Sequence, residues 1–186
     1  MEHFYYARHF GVLGAATVTL LLLEFWEVFS DSLIVSFAIS GALHACALAF
    51  TLRSPQHLSR KSCFIALAAV LSAFTMYVGI MGLALFAAVP GNERLYAVLG
   101  LCSLVGAITY GSLIRLFWVR SFSSRQILAM ALLCVLASFV GFFAKTYTDF
   151  LGGWWLVAAW WFAFSGALRF FDIHPNALKG SKYNRI

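Results

Sequence analysis

Six apolar stretches run through this chain, each long enough to cross a bilayer as a helix, with short polar joins between them. They cover residues 10–29, 33–52, 63–88, 95–119, 127–147 and 151–171. A helix needs roughly 20 mainly apolar residues to traverse about 30 Å of hydrocarbon. In lipid every backbone N–H and C=O must be satisfied inside its own segment, and the runs are continuous rather than alternating, so a barrel is excluded. The expected fold is all-α: a polytopic membrane protein of six transmembrane helices in three hairpins. With 62% hydrophobic and 11% charged residues in a chain of 186, a water-soluble domain could not hide its apolar surface.

The basic residues orient the bundle. Arg8 precedes the first span, and Arg53, Arg60 and Lys61 join the second and third. Arg115, Arg120 and Arg125 surround the join of the fourth and fifth, and Arg169, Lys179, Lys182 and Arg185 end the chain. Of the 13 Lys and Arg, only Arg94 and Lys145 fall on the opposite side. The positive-inside rule therefore predicts cytoplasmic termini for a multi-pass membrane protein. No small-residue cleavage site ends a short apolar region, so the first span is expected to stay as an anchor. The tail, 172–186, is polar and broken by Pro175 and Gly180, and is expected to be a partly disordered cytoplasmic segment.

A net charge of +6 matches this orientation signal and attraction to anionic lipid, with no basic stripe of the kind that binds nucleic acid. Cys46, Cys63, Cys102 and Cys134 form no CxxC pair and read as small packing residues. The outer connections are short: Ser30-Asp31-Ser32, Pro90 to Arg94, and Thr148-Asp149-Phe150. Three second-in-hairpin helices carry similar pentads: Ser40-Gly41-Ala42-Leu43-His44, Gly111-Ser112-Leu113-Ile114-Arg115 and Ser165-Gly166-Ala167-Leu168-Arg169. Two small residues, apolar bulk and a basic side chain describe a threefold hairpin repeat.

With its three-hairpin plan, its length and endings such as Gly111 to Phe117 and Phe164 to Phe171, the chain resembles the HdeD-like small membrane proteins over all six spans. The resemblance implies a six-helix architecture and a part in bacterial acid resistance. It transfers no catalytic residue. The family often has a proline in the outer turns, where this chain has Pro90 in one and Asp31 and Asp149 in the others.

Small residues recur every four positions at Gly41, Ala45 and Ala49, at Ala107 and Gly111, and at Ala159, Ala163 and Ala167. They let helix backbones approach within the bundle; a homo-oligomer interface is the alternative. His44 falls near the middle of its span, where an ionisable group faces protein or a water-filled cavity. It reads either as a neutral imidazole bonded to a neighbouring helix or as part of a proton or solute path. Haem ligation lacks a second histidine at matching depth, since His3 and His9 lie at the inner edge and His57 and His174 outside the spans. No cofactor or metal is called for.

Glu24 and Glu27 share a helix face near the outer side. They read equally as a proton- or cation-binding pair and as structural partners of Lys145. Arg115 and Arg169, one turn from the inner ends of their helices, are expected to reach headgroups, with an inner-mouth solute site as alternative. Trp26, Trp118, Trp154 and Trp155 fit interfacial belts, and the deeper Trp160 and Trp161 are expected to pack against helices or lipid. No phosphate loop, HExxH or GxSxG occurs. The expectation is a non-enzymatic membrane protein in acid or envelope stress tolerance. The alternatives are a small transporter or channel for a solute or protons, and a scaffold for a cytoplasmic protein partner.

Overall fold

The computed structural model describes residues 2–25, 33–51, 58–88, 92–117, 122–147 and 154–173. Six helices account for nearly all of them: α1 Glu2–Phe25, α2 Leu33–Thr51, α3 Leu58–Leu85, α4 Asn92–Phe117, α5 Ser124–Tyr147 and α6 Trp154–Ile173. Five are long and apolar enough to cross a membrane, and α6 is apolar from Leu156 to Phe171. The protein is an all-α, multi-pass integral membrane protein, with large apolar side chains such as Val70, Leu132, Leu136 and Val140 facing outward toward lipid. Helices α1 and α3 begin earlier than the apolar runs, because no Gly or Pro interrupts residues 2–10 or 58–63.

Each helix packs on its neighbours in sequence, and α1 also touches α6, closing a ring. Close approaches occur where side chains are small. A Cβ on Gly41 of α2 would collide with the Ser72 side chain of α3. A Cβ on Gly79 of α3 would lie 2.8 Å from Cys102 Sγ of α4, and one on Gly111 of α4 would lie 3.2 Å from Ile127 of α5. Ala45, Ala49, Ala107 and Ala167 of the small-residue stripes are buried inside the single chain, which is where intramolecular packing puts them.

Helix ends are satisfied by identifiable side chains. Ser123 and Gln126 form a capping box on α5: Gln126 N–H donates to Ser123 Oγ at 3.2 Å, and Ser123 N–H donates to Gln126 Oε1 at 2.8 Å. Three arginines reach carbonyls in the last turn of another helix, where no intrahelical donor remains. Arg8 donates to Phe50 O of α2 at 3.4 Å, Arg60 to Leu116 O of α4 at 3.5 Å, and Arg94 to Leu83 O of α3.

Packing is uneven along the bundle axis. The larger apolar core joins the ends of α2, α4 and α6 to the beginnings of α3 and α5, through Leu48, Phe64, Ile114, Met130, Phe164 and Leu168. All of these lie in the half of the bundle that carries the start of α1 and the end of α6. The other half, toward the α3–α4 turn, is where the interior opens.

Candidate functional site

A cavity of about 300 Å³ occupies that second half. Four helices line it with stripes at three- and four-residue spacing, the period that keeps side chains on one helix face. Phe37, Ser40, Gly41 and His44 come from α2; Ser72, Thr75, Met76, Gly79 and Leu83 from α3. Leu95, Val98, Leu99, Cys102, Ser103, Gly106 and Tyr110 come from α4, and Leu156, Val157, Trp160 and Trp161 from α6, with Ser138 contributed by α5. The wall is mostly apolar. Near the α3–α4 turn it ends at Leu83 and Leu95, which are 37% and 44% exposed.

His44 forms the floor. It is 1% exposed, and its Nε2 lies 2.8 Å from Ser165 Oγ of α6. The ring is sandwiched between Tyr110, at 5.4 Å and 21°, and Trp161, at 5.0 Å and 10°. Trp160 and Phe164 meet it edge-on at 5.8 and 6.0 Å. These separations are those of favourable aromatic pairs. Ser165 has no other bonded acceptor among the described residues, so a hydroxyl donating to an unprotonated Nε2 leaves the fewest buried polar atoms unsatisfied. The imidazole is thereby locked across α2, α4 and α6.

Five hydroxyls on the wall already donate, to backbone carbonyls or to one another. Ser40 donates to Phe37 O at 3.0 Å, Thr75 to Leu71 O at 2.9 Å, and Tyr110 to Gly41 O at 2.8 Å. Ser138 donates to Cys134 O at 2.9 Å, so the 2.5 Å contact between Ser103 and Ser138 has Ser103 as donor. Trp160 Nε1–H donates to Ser103 O at 3.4 Å. The hydroxyl hydrogens of Ser40, Thr75, Ser103, Tyr110 and Ser138 are all committed. What these groups still offer a guest is oxygen lone pairs.

Below the floor, a second polar cluster joins α1, α2 and α6. His9, 2% exposed, has Nδ1 at 2.8 Å from Thr51 Oγ1, and Thr51 itself donates to Ala47 O at 2.6 Å. The Ser165 backbone and the Arg169 side chain lie near the His9 ring. Among the described residues, no three His, Cys, Asp or Glu side chains gather as metal ligands.

The candidates picked out from sequence therefore separate. His44 sits at the centre of the site. Arg169 is fully buried beside His9, which differs from the expectation of a side chain stretched to the headgroups; its spacing of four from Ser165 turns it inward. Arg115 is exposed at the end of α4, so the basic positions of the three similar pentads are not equivalent. Trp160 and Trp161 line the cavity rather than only packing against helices or lipid. Glu27, Trp26, Trp118, the outer turns apart from Asn92 to Arg94, and the tail beyond 173 lie outside the described residues, as do the side chains of Glu24, Lys145, Trp154 and Trp155.

Tyr110, Ser165, His9, Ser72, Ser103 and Ser138 were not picked out from sequence as site residues, although His9 was weighed as a haem ligand and Ser165 opens the third pentad. A signal existed: Ser72, Thr75 and Gly79, with Ser103, Gly106 and Tyr110, repeat small or polar residues on one face of otherwise apolar helices. No family model, curated protein or solved structure matches this chain.

Proposed function

We propose that this integral membrane protein is a non-enzymatic carrier for a small neutral solute that has at least one hydrogen-bond donor. One observation supports the reading above others: a cavity half-way into the bundle, closed beneath His44 by a packed apolar core and continued above it to exposed residues. A carrier caught open to one side has this form. Among the described residues the wall bears no charged side chain, so an ion held there would lose its hydration without replacement, a loss of several kcal/mol or more, on the order of that for an unpaired buried charge. A sugar, with many donors and acceptors, would leave most of them unmet. A phenol, an indole or an undissociated carboxylic acid would place its apolar body against Phe37, Tyr110 and Trp160. Its single O–H or N–H would find a serine oxygen.

This gives the acid-tolerance role implied by the HdeD-like resemblance a chemical form. A weak organic acid is neutral at low pH and fits; its anion does not. The proposed placement is the bacterial inner membrane with cytoplasmic termini, supported by the distribution of Lys and Arg. The cavity then opens to the outside.

Equilibrium dialysis of the detergent-purified protein with 2-naphthol and with 2-naphthalenesulfonate tests the reading. Saturable binding of the naphthol, weakened about tenfold or more (roughly 1.4 kcal/mol) in Thr75→Phe, is expected. Equal binding of the sulfonate, or no effect of filling the cavity in a folded variant, would overturn it.

A further inference from the structure

At the opposite end of the bundle, away from the cavity, two cations meet at one residue, Phe50, one at its backbone carbonyl and one at its exposed ring. Arg8 of α1 reaches the Phe50 carbonyl with one Nη at 3.4 Å, and Lys61 of α3 holds its Nζ 4.8 Å from the centroid of the Phe50 ring. Helix α2 packs between α1 and α3, so Arg8, Phe50 and Lys61 form one continuous strip of surface. Phe50 is 51% exposed. Among the described residues Arg8 gives one donor of its five-donor fork to the helix end, and its side chain is exposed. No carboxylate among the described side chains lies at this end; Glu93, the one acid with a described side chain, sits at the start of α4 on the other side.

We propose that this strip is a binding site for the phosphodiester headgroup of an anionic phospholipid. The guanidinium and the ammonium take the phosphate oxygens from two sides, a charge-assisted geometry stronger than a neutral hydrogen bond. Phe50 and the exposed Leu58, at the start of α3, meet the first carbons of the acyl chains. The position is the one a headgroup occupies: Phe50 is in the last turn of α2 and Lys61 in the first turn of α3. A freely soluble phosphate has no use for the aromatic and leucine contacts, so lipid is the occupant. The site is independent of the solute reading, since none of its residues lines the cavity.

Native mass spectrometry of the whole protein, released from micelles containing equal phosphatidylglycerol and phosphatidylcholine, tests it. Wild type is expected to retain phosphatidylglycerol preferentially, with about a fivefold loss of preference for each cation removed in Arg8→Gln and Lys61→Gln. Arg125→Gln, which removes an exposed charge at the same end on α5, should leave the preference within twofold. The charge-keeping pair Arg8→Lys and Lys61→Arg should retain it, which separates headgroup binding from loss of the α2 cap. An equal loss in Arg125→Gln would mean diffuse attraction and overturn the site. So would displacement of the lipid by millimolar inorganic phosphate, or an unchanged preference in the Gln variants.

Discussion

His44 Nε2 and Ser165 Oγ, 121 residues apart in the chain, meet at 2.8 Å in the middle of the bundle. This contact fixes α6 against α2 at the level where the cavity ends and the packed core begins. A polar pair there makes its register specific, because a slip of either helix would bury both groups unpaired.

A double-mutant cycle on His44→Phe and Ser165→Ala measures the contact. Hydrogen bonds between membrane helices are worth about 0.6–1.7 kcal/mol by such cycles, and the coupling energy should fall in that range. Unfolding in mixed micelles provides the measurement. A coupling indistinguishable from zero would mean the two groups do not bond in the folded protein.

Gly41 is a point of close approach between α2 and α3. Gly41→Ala drives a Cβ into Ser72, and overpacking of this kind costs about 1–3 kcal/mol. Adding Ser72→Gly should restore most of the loss. If Gly41→Ala alone leaves the melting temperature unchanged, α2 and α3 do not approach as closely as described.

The α5 capping box makes a local prediction. Ser123→Ala removes the acceptor for Gln126 N–H and should destabilise the protein by about 1 kcal/mol, while Ser123→Asp should be tolerated. Comparing the melting temperatures of the two variants decides whether the cap or the general surroundings of Ser123 matter.

Arg94 gives a parallel case at the other end. Its bond to Leu83 O closes the last turn of α3 from the first turn of α4. Arg94→Gln should speed hydrogen exchange of the amides near residues 83–87 selectively, leaving those of α5 unchanged. A uniform change across the bundle would instead indicate global destabilisation.

The helices were legible because lipid imposes a length and an apolar composition that soluble helices lack, and six such runs stand out without any motif. His44 was legible for the same reason: a basic group amid apolar residues at mid-span has few harmless explanations. Its partner was not, since Ser165 looks like any small residue of a membrane helix until α6 is placed against α2. The depth of His9, near the bundle end, could be read from its position. Its burial could not, because that depends on which face of α1 meets Thr51. The burial of Arg169 was hidden by the same ambiguity: a long cation near a helix end extends to headgroups only when its helix face looks outward. The cavity arises where small and hydroxylated residues of α2, α3 and α4 face the apolar and aromatic stripe of α6, a property of the assembly rather than of any one span.

The most direct measurement of the central claim is a crystal structure of the protein soaked with 4-bromophenol, read from the anomalous signal of bromine. The account predicts a bromine peak inside the bundle among Phe37, Thr75 and Trp160, above the His44 ring. Bromine found only on the lipid-facing surface, with the interior filled by repacked side chains, would contradict it.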